Sequence, residues 1–119
     1  MNIPFFPYQK LYLEDRDNYL KIFDDVCTRG AYILQKDLED FELACKDYLN
    51  VEYVFGVANG TDALIIGLKA MGIGEGDEVI MPSHTYIASA ASVHLVGGKV
   101  ILCECGDDGM MDVNDIEHR

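Results

Sequence analysis

The sequence is poor in positive charge. Nine lysines and arginines stand against 21 aspartates and glutamates in 119 residues, a formal net charge of -12. That balance disfavours nucleic acid and anionic membrane as partners, but a helix N-terminus can still supply a local anion site from its own positive potential. Long apolar runs are missing too, since no stretch approaches the ~18 residues that a membrane helix needs. The four cysteines, Cys27, Cys45, Cys103 and Cys105, lack CxxC spacing, and no signal-peptide pattern opens the sequence. They read as reduced, mostly buried thiols, and the protein as soluble and cytoplasmic. Low-complexity tracts and internal repeats are absent. Neither the GxGxxG nor the GxxxxGKS/T phosphate fingerprint occurs, and Ser83-His84 lacks the nucleophile elbow and placed acid of a hydrolase. His84, His94 and His118 are scattered, so no metal site is expected.

What is present is globular: half the residues are hydrophobic and a quarter charged, in a chain of one-domain length. Its centre is the stretch YVFGVANGTDALIIGL from Tyr53 to Leu68. Val54, Phe55, Val57 and Ala58 form a near-continuous apolar run that predicts a strand buried on both faces of a parallel sheet. The tetrad Asn59-Gly60-Thr61-Asp62 follows, then a helix that is apolar nearly all round (Ala63, Leu64, Ile65, Ile66, Leu68, Ala70), ending at Gly72. Strand, Gly-containing turn and helix start present backbone N–H groups and a positive dipole end at the carboxyl edge of a sheet, a natural phosphate site. The same residues are also ordinary turn and N-cap chemistry.

Upstream, residues 1–10 carry two prolines and three aromatics and predict an extended apolar arm that needs a surface to lie on. Residues 11–29 show helical spacing of Tyr19, Leu20, Ile22, Phe23, Val26 and Cys27, with Gly30 as the stop. After the link Ala31-Tyr32-Ile33-Leu34, a helix over about residues 37–49 has a core stripe of Leu38, Phe41, Cys45, Tyr48 and Leu49. Glu39, Asp40, Glu42, Lys46 and Asp47 form its wet face. Downstream come a turn at residues 74–77, a strand at 78–81 stopped by Pro82, an Ala-rich helix from Ile87 to about Val96, and a strand at 99–104. A polar loop at 106–109 precedes a last helix capped by Asp112 or Asn114. The second half is thus a run of βαβ units with three parallel strands. Such a sheet looks unfinished, and the expectation is that the chain is the N-terminal part of a larger protein.

The IPF arm, TRGAYIL followed by LEDFE, FGVANGTDAL, GIGEGDEVIMPSHTYIAS and GKVILCE together resemble the N-terminal third of sugar aminotransferases of the DegT/DnrJ/EryC1/StrS family. GTDAL and GDEVIxPxxTyxA at this separation form the specific part of the signal. The resemblance implies an α/β fold: a partial three-layer α/β/α large domain of a fold type I pyridoxal-phosphate enzyme, with a mostly parallel sheet, preceded by an extended arm and two helices. Residues 1–36 would be the arm, first helix and link, and residues 37–119 the start of the cofactor-binding domain.

By the same resemblance Gly60, Thr61 and Asp62 match the phosphate-binding turn, through backbone N–H groups and the Thr61 hydroxyl. Tyr86, with His84 as the alternative, matches the aromatic that stacks on the pyridine ring. Phe6, Tyr8 and Tyr32 would lie near the substrate sugar or a neighbouring subunit. The family places Gly where Gln35 stands here. None of the six lysines (Lys10, Lys21, Lys36, Lys46, Lys69, Lys99) matches the lysine that carries the cofactor. The implied activity is transfer of an amino group from an amino acid, commonly glutamate, to a keto nucleotide-sugar in polysaccharide or antibiotic sugar biosynthesis, by a homodimer. The chain alone would be inactive. Two alternatives stand beside it: a sugar dehydratase of the same fold, and a non-catalytic module that binds a phosphate ligand or serves assembly.

Overall fold

Asp15 divides what the apolar periodicity reads as one helix. In the computed structural model, which describes residues 3–119, α1 is Tyr8–Glu14 and α2 is Arg16–Arg29. Asp15 stands between them with φ -131° and ψ 22°. Its N–H donates to the Tyr12 carbonyl, its carbonyl accepts from Tyr19 N–H, and its Oδ1 accepts from Asn18 Nδ2 at 2.6 Å. That side-chain bond goes to another side chain and caps no backbone N–H; aspartate's low helix propensity suits it to a helix end rather than an interior. The arm is also shorter than expected. Pro7 is the N-cap of α1 and its carbonyl accepts from Leu11 N–H, so Tyr8 to Lys10 are helical. Proline is tolerated at a helix start because its missing N–H had no intrahelical partner to lose. Residues 1 and 2 of the expected arm lie outside the described residues.

Gly30 ends α2 at φ 65°, as its position in the sequence predicts, and Ala31 N–H closes onto the Val26 carbonyl. Helix α3 is Lys36–Leu49. Gln35, the departure from the family pattern, caps it at φ -102°, a conformation open to any residue, while the left-handed φ of 45° falls on Leu34. The expected core stripe of α3 is only half realised. Leu38 and Cys45 are half-buried, but Phe41, Tyr48 and Leu49 are exposed, because nothing among the described residues covers that face. Glu42, expected in solvent, is half-buried and accepts the Gly56 N–H at 2.7 Å.

The strand expected at residues 54–58 does not form. Apolar β-branched sequence suits a strand, but a strand exists only with a ladder partner, and none of the described residues supplies one.

Helix α4, Gly60–Ala70, leads through the turn of Gly74 and Asp77 to β1, Glu78–Pro82. Then follow α5, Ile87–Leu95, β2, Lys99–Cys103, and α6, Val113–Ile116. The β1 and β2 strands are parallel, with Glu78 opposite Lys99 and Pro82 opposite Cys103. The expected three-strand sheet therefore has two strands here. Helix α5 packs on both strands and on α4. Its small residues allow close approach, and the core sits at that junction: Val93 is 2% exposed, Cys103 1%, Met81 6% and Ser92 0%. The hydroxyl of Ser92 donates to the Ala88 carbonyl, so no polar atom is stranded there. Helix α4 is not the fully buried helix its composition suggests, since Leu64 and Ile66 remain exposed. Of the four free thiols only Cys103 is buried; the others are half-buried.

Past β2, an antiparallel bridge of Cys105 with Met111 closes the polar loop, and Asp112 caps α6 by accepting Asn114 N–H at 2.9 Å. The chain divides into two compact units, Met1–Gly56 and Val57–Arg119.

Candidate functional site

The turn before α4 is built by reciprocal side-chain bonds. Asn59, extended at φ -163°, is the N-cap: its Oδ1 accepts Asp62 N–H at 2.9 Å, and its Nδ2 donates to Asp62 Oδ2 at 3.0 Å. The Asn59 carbonyl takes the next donor, Ala63 N–H. That carbonyl bond is the first of the helix's own ladder, so of the four N–H groups that precede it the side-chain cap satisfies one, Asp62's. Those of Gly60 and Thr61 have no acceptor among the described residues. A Cβ on Gly60 would meet no atom within 4 Å, so a ligand can approach the backbone there.

This changes how the three expected turn residues contribute. Gly60 and Thr61 offer N–H groups, and half-buried Thr61 adds a hydroxyl. The Asp62 N–H is committed to Asn59, so Asp62 acts by holding the turn rather than by donating to an anion. Asn59 was not among the expected site residues. Its signal was in the sequence, an Asn followed three residues later by a carboxylate ahead of an apolar run, the spacing of a capping box.

The second turn follows β1. Pro82 has no N–H to give, and the ladder is carried one residue further by Ser83 N–H, which donates to the Cys103 carbonyl at 2.8 Å. That bond fixes where Ser83, His84 and Thr85 leave the carboxyl end of the sheet, the end where open α/β sheets bind ligands. Tyr86 is the N-cap residue of α5 and makes no side-chain cap; the residue is 77% exposed. Thr85 and Ser89 hydroxyls bond across the first turn at 3.0 Å. His84 is exposed. Since α4 and α5 pack together, the two turns lie on neighbouring helices.

Phe6, Tyr8 and Tyr32 belong to the first unit. The Phe6 and Tyr8 rings lie 4.6 Å apart, and the Tyr32 hydroxyl donates to the Cys27 carbonyl at 3.4 Å. An open cleft of about 360 Å³ in that unit is lined by α3 and residues 52–55 and holds none of the three. In the second unit, a cleft of about 490 Å³ is lined by Pro82, Met110, Met111, Val113 and Ile116, with Asp108 and Gly109 at its side.

The second unit thus combines parallel α/β structure with a donor-bearing turn at one helix start and an uncovered aromatic at the next, an arrangement that can receive an anion. Residues 14–119 match the model of the DegT/DnrJ/EryC1/StrS aminotransferase family. The chain belongs to that family. Among its curated relatives is the dTDP-3-amino-3,6-dideoxy-alpha-D-galactopyranose transaminase of Aneurinibacillus thermoaerophilus, 38% identical over 86% of this chain and 28% of that protein. The crystal structure of Streptomyces venezuelae DesV in complex with a ketimine intermediate superposes with a TM-score of 0.90, at 37% identity, over 98% of this chain and 32% of that one. Bacillus subtilis NtdA, crystallised with its cofactor PMP, gives a TM-score of 0.91 at 33% identity, over 98% of this chain and 27% of that one. The fold is thus a partial α/β domain of the fold type I architecture. The chain spans 28% of the length of the curated relative it matches.

Proposed function

We propose that this chain is the amino-terminal part of a pyridoxal-phosphate-dependent aminotransferase that moves an amino group from an amino acid, glutamate by the family resemblance, to a keto group on a nucleotide-linked sugar. The observation that carries this reading is the α4 turn, with two unpartnered N–H groups at the positive end of an 11-residue helix, in a chain belonging to this family. The residues fit the cofactor's phosphate: Gly60 and Thr61 donate by N–H, the Thr61 hydroxyl donates beside them, and Asn59 and Asp62 lock the turn. Tyr86 offers an uncovered ring face for stacking on the pyridine, with His84 as the alternative. When bound, the cofactor supplies the electron sink for the amino-group exchange.

What this chain contributes is anchoring and orientation. Residues 37–119 are the start of the cofactor domain in this reading, and Phe6, Tyr8 and Tyr32 face the sugar or the neighbouring subunit of a homodimer. The lysine that holds the cofactor and moves the proton belongs to the polypeptide beyond these segments. Two measurements test the reading. The 119-residue chain mixed with pyridoxal phosphate is expected to give no lysine-bound chromophore and no half-transamination; either would overturn the assignment of the lysine. In the full-length enzyme, Thr61→Leu is expected to lower cofactor affinity with Tm unchanged, and unaltered affinity would return the turn to a structural role.

A further inference from the structure

Asn59 is followed by glycine, whereas Asn2, Asn18, Asn50 and Asn114 precede isoleucine, tyrosine, valine and aspartate. Asparagine amides are thermolabile because the next backbone nitrogen can attack the side-chain carbon, and a Cβ on that next residue hinders the attack. Gly60 has no Cβ, and open space surrounds the place where one would stand. Both residues are exposed, and the Gly60 N–H has no acceptor among the described residues, so its proton can pass to solvent base. One contact opposes the attack. Asp62 holds both ends of the Asn59 amide, its N–H donating to Oδ1 at 2.9 Å and its Oδ2 accepting from Nδ2 at 3.0 Å. The amide carbon reaches Gly60 N only when that cap opens.

We propose that Asn59-Gly60 is a deamidation site that disables the α4 turn, with the Asp62 side chain as its restraint. Gly60 N forms a bond to Asn59 Cγ, the Cγ–Nδ2 bond breaks, and ammonia leaves with the Gly60 proton, giving a five-membered imide. Water then opens either carbon bond of that imide nitrogen. Cleavage at Cγ gives aspartate at position 59; cleavage at the main-chain carbonyl carbon gives isoaspartate, with the chain routed through Cγ. In the first product an oxyanion replaces the donor that lies 3.0 Å from Asp62 Oδ2, so a hydrogen bond becomes a like-charge contact. In the second, the extra backbone methylene moves the cap out of register with Asp62 N–H. Both bring negative charge beside the unpartnered N–H groups of Gly60 and Thr61, which weakens the turn's attraction for phosphate, a consequence that rests on the reading above.

Peptide mapping by mass spectrometry, on the 119-residue chain held at mildly alkaline pH, tests the site. Asn59 is expected to convert at least about tenfold faster than Asn18, Asn50 or Asn114, because its successor alone lacks a Cβ. Equal rates overturn the site. Gly60→Ala, which the open space and the helical backbone accept, should slow Asn59 to the level of the others, and an undiminished rate there overturns attack by this nitrogen. Asp62→Ala should speed conversion about fivefold, the weight of one hydrogen bond, while Asp62→Asn keeps an acceptor for Nδ2 and should stay near the parent rate. Unchanged circular dichroism in both variants would show that α4 is intact, and an Asp62→Ala rate equal to the parent's overturns the restraint. In the full-length enzyme, Asn59→Asp should lower pyridoxal phosphate affinity about tenfold, the effect of one like charge beside the phosphate, and bound cofactor should slow conversion at Asn59. If Asn59 converts fast but neither effect is seen, the site stands and the phosphate reading falls. If the cofactor binds normally while Asn59 is no faster than the other asparagines, the site falls and the proposed function stands.

Discussion

Helix α2 has a full apolar stripe but half-buries only Val26 and Cys27, whereas α5, built largely of alanine and serine, buries Ser92 and Val93 completely. The difference lies in what each helix meets. Two parallel strands and α4 pack on α5, whose small residues bring backbones together, and Ser92 and Val93 lose their water there. Within the first unit α2 meets no sheet, and Phe23 stays 69% exposed. That unit is tied by polar links instead: Arg29 Nε donates to Asp25 at 2.9 Å, and its Nη2 is shared between both oxygens of Asp37 at 3.0 and 3.1 Å. Exposed pairs of this kind contribute little and weaken with salt. An amphipathic sequence makes a helix, but a core needs a second surface.

The largest test of that contrast puts a charge on each side of it. Val93→Asp would strand an unpaired carboxylate at the junction of α5 with the sheet and is expected to destabilise the second unit by about 3 to 5 kcal/mol, enough to abolish cooperative unfolding by circular dichroism. Phe23→Asp is expected to change stability by less than about 0.5 kcal/mol, as for surface substitutions generally. If Phe23→Asp proved comparably damaging, the α2 stripe would be covered in solution by another copy, and the contrast between the units would vanish.

A smaller effect is expected at the turn. Asn59→Ala removes the acceptor of Asp62 N–H and should cost about 1 kcal/mol of helix stability. It also leaves a third N–H unpartnered at the head of α4, so inorganic phosphate should shift the melting of the variant at least as much as that of the parent chain. A variant melting at the parent temperature would show that the cap contributes nothing and that the second unit is held by its buried junction alone.

Much of this was readable from residue types. The helix positions, the stop at Gly30, the turn at Gly74 and Asp77 and the parallel pairing of β1 with β2 follow from spacing and punctuation, because those signals are local. The family was readable from GTDAL and GDEVIxPxxTyxA. Three things were not. The break at Asp15 falls at one residue of low helix propensity inside an otherwise continuous stripe. The strand at residues 54–58 has the right composition, but pairing is set by a neighbour that the segment itself does not encode. The bond of Glu42 to Gly56 hid in a charge run that looked like a wet face, since a carboxylate bonded to a backbone N–H fourteen positions on leaves no periodic trace.

The finest test concerns a polar tie in the second unit, the counterpart of the Arg29 links in the first. Asp115 Oδ2 accepts Glu104 N–H at 2.8 Å and both Nε and Nη2 of Arg119 at 3.1 and 3.0 Å, pinning α6 to the residue after β2. The Glu104 N–H first, and then the Arg119 guanidinium, hold the Asp115 carboxyl below its ordinary value of 3.8. A carboxyl lowered in the folded chain stabilises it at every pH above the unfolded value, and that contribution disappears as pH falls through the lowered folded value. Acid titration below about pH 4 should therefore loosen α6 before the Val93 core, seen as faster amide exchange at Glu104. Asp115→Asn keeps an acceptor for Glu104 N–H but loses the charge, so exchange at Glu104 should become insensitive to pH in that window. Parallel pH profiles in parent and variant would show that the tie is geometric only, and the contrast between a packed unit and a polar-linked one would then rest on burial rather than on charge.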